Sequence, residues 1–253
     1  MSAVRGPAPR LVLVHGYMDG PAVWQRVLDH LDGLAPTATC VQLAPIGDGQ
    51  RSSAELLEAY AHQVHAECAR SASGEPIVLV GHSMGGAVAE LAAAKGIEAL
   101  MGLVLVTPSP LRGVPLPTDV MRRFATRAAL TDRNEIRAGK RALAVGLDAA
   151  AQDILATATL ETGEAFALEQ LRAWTGGHPQ GQAPSQVDVP VQIVATDDKF
   201  FTADLLRQES ARFRDVTLGH VAGAGHWPHL EQPALLAAAI EGFIARIRPT
   251  ASR

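Results

Sequence analysis

The chain has 253 residues, of which 47% are hydrophobic, and this is enough for one sizeable domain with a buried core. Its 22 basic and 26 acidic residues give a formal net charge of −4. No basic tract indicates a nucleic-acid partner, and Arg122, Arg123 and Arg127 are interpreted as one solvated helix face. The N-terminal sequence MSAVRGPAPR lacks the apolar stretch of a secretory signal, and no apolar run is long enough to span a membrane. We therefore expect a cytoplasmic protein that binds neither nucleic acid nor membrane.

The first part of the chain alternates short apolar runs with helical patterns. Two strands and a helix with proline in its first turn are followed by a longer helix, which Ser52 or Ser53 caps and which ends near Arg70. The two strands are predicted over Leu11–His15 and Thr39–Leu43, and the first helix over Pro21–Leu31.

Residues 77–89, IVLVGHSMGGAVA, combine a buried-strand pattern, a glycine-flanked serine and the start of a helix of small residues. Ser83 lies between Gly81 and Gly85 in a G-x-S-x-G pattern, which is typical of the strand–turn–helix arrangement called the nucleophile elbow. Glycine is needed at both places because a side chain there would collide with neighbouring backbone. The amide of Met84 would then point at the space beside the Ser83 hydroxyl, and this suits an oxyanion. A glycine-rich turn with an incidental serine is the structural alternative.

The second part of the chain adds three predicted strands and two predicted helices. The strands cover Gly102–Thr107, Val189–Thr196 and Asp215–Val221, and the helices cover Thr202–Phe213 and Gln232–Ile247. Strands that alternate with helices predict an α/β fold, with a mostly parallel sheet of about six strands and helices on both faces. The reactive loops of such a sheet gather at the carboxyl ends of its strands.

Residues 108–186 interrupt this alternation. They contain helical patterns at roughly 117–130, 134–145, 148–160 and 163–174 and no convincing strand pattern. We interpret the segment as a helical lid inserted over the carboxyl edge of the sheet, and 1–107 and 187–253 as the core. Ordinary helices that flank the sheet are the alternative, although a crossover needs fewer of them.

A serine nucleophile needs a base, and histidine is the usual one because its pKa lies near neutrality. His226 lies in GAGHWPHLEQP after the last predicted strand, where a glycine-rich approach lets the loop bring an imidazole toward Ser83. His229 is the rival, and its alternative role is to cap or pack at the helix start. Asp197 and Asp198 follow the strand PVQIVAT, and one of them is expected to orient the histidine.

Together these segments make the chain resemble the α/β-hydrolase superfamily over nearly its whole length, as a lidded member with a serine nucleophile. LVLVHGYMDGPAVW resembles the family's H-G oxyanion loop and first helix, GHSMGG its elbow, and GAGHWPHLEQP its histidine loop. The family pattern G-x-x-D maps on Ala195–Asp198, with alanine in place of glycine, and implies that Asp198 rather than Asp197 orients His226.

The resemblance also implies that the amide of Tyr17 is the second oxyanion donor beside that of Met84. No metal or organic cofactor is implied. His15 is expected to be a structural residue beside the oxyanion loop, and the His82 side chain to point away from Ser83. Two features depart from the family. The loop LAPIGDGQRS lacks the usual initial acid, and the ten residues before the first strand leave the N-terminal antiparallel hairpin missing or vestigial.

These residues predict a serine hydrolase that cleaves an ester, thioester or lactone-like bond of a small molecule through an acyl-enzyme. Ser83 would be the nucleophile, His226 the base and Asp198 the orienting acid. A carbon–carbon bond hydrolase of a diketone-type substrate, a cofactor-free oxygenase and a non-catalytic ligand-binding protein are the alternatives. Six side chains could line a pocket for an apolar portion of the substrate, although packing within the lid or core also explains them. They are Trp24, Met121, Phe124, Phe166, Trp174 and Trp227.

Overall fold

The computed structural model describes residues 8–31, 33–47, 50–70 and 74–248. Its centre is one sheet of six parallel strands in the order β2-β1-β3-β4-β5-β6, which confirms the predicted sheet. The strands are β1 (Arg10–Val14), β2 (Thr39–Val41), β3 (Ile77–His82), β4 (Leu100–Val106), β5 (Val191–Thr196) and β6 (Val216–Val221). The chain reverses its direction of travel across the sheet between β1 and β3. In open α/β sheets, ligands bind outside the carboxyl ends of the strands at such a reversal.

Helices cover both faces of the sheet, as predicted. In the described residues the α-helices are α1 (Gln25–Leu28), α2 (Ser53–Cys68), α3 (Met84–Ala94), α4 (Thr118–Ala128), α5 (Arg133–Arg141), α6 (Ala149–Gly176), α7 (Ala203–Ser210), α8 (Pro228–Glu231) and α9 (Pro233–Ile247). Short 3-10 helices cover Pro21–Trp24, Ala35–Thr37 and Pro179–Gln182. The helix predicted over Pro21–Leu31 thus begins as a 3-10 helix and continues for a single α-helical turn.

Alternate side chains of the strands enter two apolar clusters, one on each face of the sheet. Val12, Val14 and Leu79 pack with α2, α3 and α7. Leu11 and Val80 pack on the opposite face with α1 and α9. Because both faces are covered, each central strand is a continuous apolar run, and this is why the sequence predicts these strands so directly.

Three helices, α4 to α6, lie between β4 and β5, in the segment predicted as a lid. α6 is 28 residues long and is broken at Gly163, where a φ of +67° gives the left-handed conformation that favours glycine. The break separates the two helical patterns predicted at 148–160 and 163–174. Within the part of the chain that the structure describes, none of the helices is long and apolar enough to cross a membrane.

Candidate active site

Ser83 occupies the turn between β3 and α3. Its backbone has φ +53° and ψ −122°, a strained conformation of the kind that clusters at functional sites. A Cβ atom at Gly81 would lie 2.7 Å from the Cβ of Ala89, and one at Gly85 would lie 2.6 Å from the carbonyl oxygen of Val14. The two glycines therefore let β1, β3 and α3 approach closely enough to hold the serine in this turn.

Ser83, His226 and Asp198 form a chain of hydrogen bonds. Nε2 of His226 lies 3.1 Å from Oγ of Ser83, and its Nδ1 lies 2.6 Å from Oδ2 of Asp198. Burial opposes the ionisation of Asp198, but the hydrogen bond and charge of His226 and the amide of Phe200 outweigh it, so the pKa of Asp198 lies below its usual value. An ionised Asp198 keeps the proton of a neutral His226 on Nδ1, and Nε2 is then free to accept a proton from the serine.

The neighbouring carboxylate, Asp197, faces a different part of the chain. Its oxygens accept a hydrogen bond from the amide of Gly223 (2.8 Å) and lie 2.9 Å from Nε2 of His220. Its side chain is half exposed, whereas that of Asp198 is fully buried. The structure thus brings Asp198, and not Asp197, to His226.

Glu231 holds the His226 loop in place. One of its carboxylate oxygens accepts hydrogen bonds from the amides of Gly225 and Trp227, at 3.0 and 3.1 Å, on either side of the histidine. The other accepts from the amides of Val145 and Gly146 in the segment between α5 and α6. Glu231, the acid of the HLEQP sequence, therefore links the histidine loop to the helical segment that contains α4 to α6. Sequence reasoning did not assign a role to this residue.

The loop after β1 lies directly against the elbow. A Cβ at Gly16 would lie 3.1 Å from the Cβ of Ser83 and 2.8 Å from Nδ1 of His82, so the H-G sequence needs its glycine for this close approach. Tyr17, the next residue, therefore starts beside Ser83. Met84 is the first residue of α3, and its amide is one of the N–H groups that the carbonyls of the helix leave free. Both residues predicted to supply oxyanion donors thus lie at the elbow.

Two more histidines near the elbow are buried and support backbone groups. Nε2 of His15 accepts a hydrogen bond from the amide of Leu43 (3.3 Å), and burial lowers the pKa of His15. Nε2 of His82 lies 2.7 Å from the carbonyl oxygen of His226, so it supports the backbone of that residue. Burial and the nearby charge of His226 lower the pKa of His82 to about 3, and its ring is neutral near pH 7.

A buried polar cluster that the sequence did not predict lies behind His226. It contains Asp19, His82 and His229, and their potential metal-ligating atoms lie within 4.8 Å of one another. Nζ of Lys140 lies 3.1 Å from Oδ1 of Asp19, and the indole N–H of Trp227 donates to Oδ2 at 3.1 Å. Burial opposes the ionisation of Asp19, but the charge and the hydrogen bond of Lys140 hold its pKa below the usual value. Because the ammonium group already balances this carboxylate, a divalent cation here would be repelled at short range, and the cluster fits a metal poorly.

A cavity of about 80 Å³ opens beside Ser83 and His226. A buried water needs only about 10–15 Å³, so this cavity has room for a small ligand group. Phe124, Trp174 and Trp227, three of the six side chains predicted for a pocket, line its wall.

The prediction was wrong for the other three side chains, which do not line this cavity. Trp24 is fully buried in the core, with its ring centre 4.9 Å from that of His229. The ring centres of Phe166 and Tyr60 lie 6.3 Å apart. Met121 packs against the apolar cluster that contains both of these residues. Helical spacing identifies an apolar face, but it does not say whether that face meets a cavity or a neighbouring helix.

Sequence reasoning also missed several lining residues. Phe200 and Phe201 follow Asp198 almost directly, so their position at the carboxyl end of β5 was a usable signal. Arg127 lies on α4 three residues after Phe124, and residues at this spacing share one helix face. The prediction that Arg127 forms one solvated face with its two neighbouring arginines was therefore wrong for Arg127.

Sequence comparisons place this geometry among known proteins. The model of the Alpha/beta hydrolase family matches residues 11–239. The chain is 36% identical over 107 residues to the pimeloyl-[acyl-carrier protein] methyl ester esterase of Vibrio atlanticus (strain LGP32), a match that covers 42% of this chain and 39% of that protein. It is 33% identical over 128 residues to Esterase PIR7B of Oryza sativa subsp. japonica, with 48% of each chain covered. The matches thus span less than half the length of these relatives.

Solved structures resemble the chain over almost its full length. An esterase (EaEST) from Exiguobacterium antarcticum superposes with a TM-score of 0.76 at 12% identity, covering 95% of this chain and 93% of the other. MenH from S. aureus superposes with a TM-score of 0.71 at 17% identity, covering 97% of each chain. At such low identity, these likenesses concern the fold alone.

Proposed function

The chain belongs to the alpha/beta hydrolase family, and from this premise we propose that it is a serine hydrolase that cleaves an ester, thioester or lactone-like bond. Ser83 is the nucleophile, His226 the general base and Asp198 the acid that orients it. The observation that carries the proposal is the pair of hydrogen-bond distances at His226, 3.1 Å to the Ser83 hydroxyl and 2.6 Å to the Asp198 carboxylate. The esterase names of the two curated relatives support the same class of reaction.

The reaction begins when Nε2 of His226 accepts the proton of the Ser83 hydroxyl. The serine oxygen attacks the substrate carbonyl, and the amides of Tyr17 and Met84 donate to the oxyanion of the tetrahedral intermediate. Each such donor typically contributes about 3 kcal/mol to the stability of the transition state. His226 then gives its proton to the leaving alcohol or thiol, and an acyl-enzyme remains on Ser83. Water, deprotonated by His226, hydrolyses it, and the cycle ends with the free acid and a neutral histidine.

The substrate is a small molecule with an apolar portion, because aromatic and aliphatic side chains form most of the cavity wall. The helices between β4 and β5 act as a lid: α4 and α5 supply Phe124 and Ile136 to that wall. Residues 108–186 therefore set the substrate preference, and the sheet edge carries the chemistry.

The experiment that tests the proposal is covalent labelling with a fluorophosphonate, combined with turnover of 4-nitrophenyl acetate. Wild-type protein is expected to be labelled at Ser83. Ser83→Ala should lose labelling and at least about 10³-fold in kcat, as is typical when a serine nucleophile is removed, and His226→Ala should also lose turnover.

Ser109→Ala is the matched control for these variants. Ser109 is also buried, and its amide donates to the carbonyl oxygen of Ser83 at 3.0 Å, but its hydroxyl has no role in the mechanism. This variant should keep both labelling and turnover. Labelling that persists in Ser83→Ala would refute the assignment of the nucleophile.

A further inference from the structure

Arg127 is an unpaired cation on the wall of the cavity that contains Ser83. Its side chain makes no ion pair or hydrogen bond within the described ranges 8–31, 33–47, 50–70 and 74–248. The other cationic side chain on the wall, that of Lys140, is bound to Asp19 and lies over the ring of Trp227. On the same helix as Arg127, the exposed Arg123 pairs with Asp119. Arg127 thus differs from Lys140 and Arg123, because it lines the cavity and no carboxylate pairs with it among the described residues.

The surroundings of Arg127 are apolar. Phe124 and Leu130 on its own chain segment and Trp174 on α6 line the same cavity, and the described lining residues include no Asp or Glu. Gly139 on α5 also lines the cavity, and a Cβ there would lie 3.8 Å from Nε of Arg127, so α5 packs close to this side chain. A cation among apolar groups is stabilised when an anion is bound beside it.

The position of Arg127 relates it to the reacting atoms. Its charge acts on the phenol of Tyr17, whose backbone starts beside Ser83. The hydroxyl of Tyr17 is buried and has no hydrogen-bond partner among the described residues. Arg127, Tyr17 and Ser83 all line the same cavity, so one ligand bound there can contact both the guanidinium group and the serine.

We propose that Arg127 binds an anionic group at the far end of the substrate, so that the enzyme hydrolyses esters whose short apolar chain ends in a carboxylate or a similar anion. A guanidinium group can bind a carboxylate through two parallel hydrogen bonds, which gives both strength and orientation. This inference rests on the proposed function, because it takes the scissile carbonyl to lie at Ser83.

The test compares two esters that differ at one end only, 4-nitrophenyl hydrogen adipate and 4-nitrophenyl hexanoate. Wild-type enzyme should prefer the adipate in kcat/KM. Arg127→Met, which keeps an apolar stem of similar length, should lower kcat/KM for the adipate by about tenfold or more, the loss expected for a charged hydrogen bond. The value for the hexanoate should stay unchanged, and Arg127→Lys should restore part of the preference.

Arg123→Met is the matched control, because it removes the same charge from the exposed side of the same helix. It should leave the ratio of the two kcat/KM values unchanged. If Arg127→Met changes both esters equally, or if Arg123→Met has the same effect as Arg127→Met, Arg127 is only a solvated residue at the rim and the inference is wrong.

A binding measurement separates failure of this inference from failure of the proposed function. Ser83→Ala is titrated with monomethyl adipate and with methyl hexanoate while the fluorescence of the cavity tryptophans is followed. The anion site is supported if Ser83→Ala binds monomethyl adipate more tightly than methyl hexanoate and the double variant Ser83→Ala/Arg127→Met does not. This holds even if no ester is turned over. Equal binding of the two compounds overturns it, even if Ser83 proves to be the nucleophile.

Discussion

Two helices at the candidate site, α3 and α4, have the same length and very different environments. Each has eleven residues, but ten residues of α3 are buried and only Ala128 of α4 is. The sequence of α3, MGGAVAELAAA, is small and apolar except for Glu90, whereas that of α4, TDVMRRFATRA, carries four charged residues. α3 is therefore fixed on every side by the sheet and its neighbours, while α4 is held by one face alone.

Under the proposed function, this difference separates the chemistry from the recognition of the substrate. The elbow at the start of α3 depends on close backbone contacts that leave no room for substitution. α4 contributes Phe124 and Arg127 to the cavity, and its other faces are free to vary. We expect changes at the sheet edge to abolish activity or folding, and changes in α4 to α6 to alter which substrate is accepted.

The largest effect is expected from exchanging the carboxylate at the sheet edge. Asp198→Asn should lower kcat by roughly 10³–10⁴-fold, because an amide can hold His226 in the wrong tautomer and cannot stabilise its charged form. Steady-state kinetics with 4-nitrophenyl acetate measure this. Asp197→Asn is the matched control one residue away, and it should leave kcat almost unchanged, since Asp197 contacts His220 and Gly223. Equal losses in the two variants would contradict the assignment of Asp198.

A pair of glycine substitutions compares the packing of α3 with that of the helical segment between β4 and β5. Gly85→Ala should lower the free energy of unfolding by about 3 kcal/mol, at the upper end for overpacking, because the new Cβ would lie 2.6 Å from the carbonyl oxygen of Val14. Gly139→Ala in α5 should raise it by about 0.5–1 kcal/mol, because alanine favours a helix and meets only Nε of Arg127 at 3.8 Å. Urea denaturation measures both. A destabilised Gly139→Ala would show that the helical segment is packed as tightly as the core.

Acid should weaken the core through its buried histidines. His82 has a pKa of about 3 in the folded protein and an ordinary value of 6.5, so the unfolded chain binds more protons between these limits. Stability should therefore fall as the pH drops below 6.5, by about 1.4 kcal/mol per pH unit from His82 alone. His15 and His229 are shifted in the same direction and should add to the slope.

His82→Gln is the variant that checks the origin of this slope, because its amide can still donate to the carbonyl oxygen of His226. Urea denaturation at pH 7.5, 6.5 and 5.5 should show a smaller loss of stability in the variant than in the wild type. An equal loss in both proteins would mean that His82 does not control the acid sensitivity of the core.

The sequence could predict the parts of the molecule that packing dictates. The continuous apolar strands and the glycines around Ser83 leave one physical arrangement open, and the structure brings Ser83, His226 and Asp198 together there. The residues alone could not separate Asp197 from Asp198, since the two differ only in the direction of their side chains. The family pattern supplied that choice.

The cavity wall could be predicted only in part, for a reason that α4 and α6 illustrate. Apolar spacing predicted a place in the pocket for Phe124 and Phe166 alike, but only Phe124 faces the cavity. The packing of neighbouring helices decides this, and the sequence of one helix does not specify that packing. Arg127 resembled a solvated arginine for the same reason. Its position relative to Phe124 is informative because α4 contributes both side chains to the cavity wall.

The smallest effect is expected from an ion pair on the surface of the helical segment. Asp153 on α6 pairs with Arg137 and lies 3.9 Å from Arg133, both on α5. The side chain of Asp153 is about half exposed, so Asp153→Ala should lower the free energy of unfolding by at most about 0.5 kcal/mol. Because exposed pairs are screened by salt, the loss should vanish at roughly 1 M salt. Urea denaturation with and without salt measures it.

Ile136 is the internal reference for this last prediction, because it is the one buried residue of α5. Ile136→Ala should cost about 2 kcal/mol or more, since it removes apolar contacts on the only face by which the helix is held. If Asp153→Ala costs as much as Ile136→Ala, charges rather than one apolar face hold α5 on α6. The contrast between a core that is packed on all sides and a helical segment that is packed on one face would then be wrong. Substitutions on the exposed faces of α4 and α5 would then be expected to lower the free energy of unfolding.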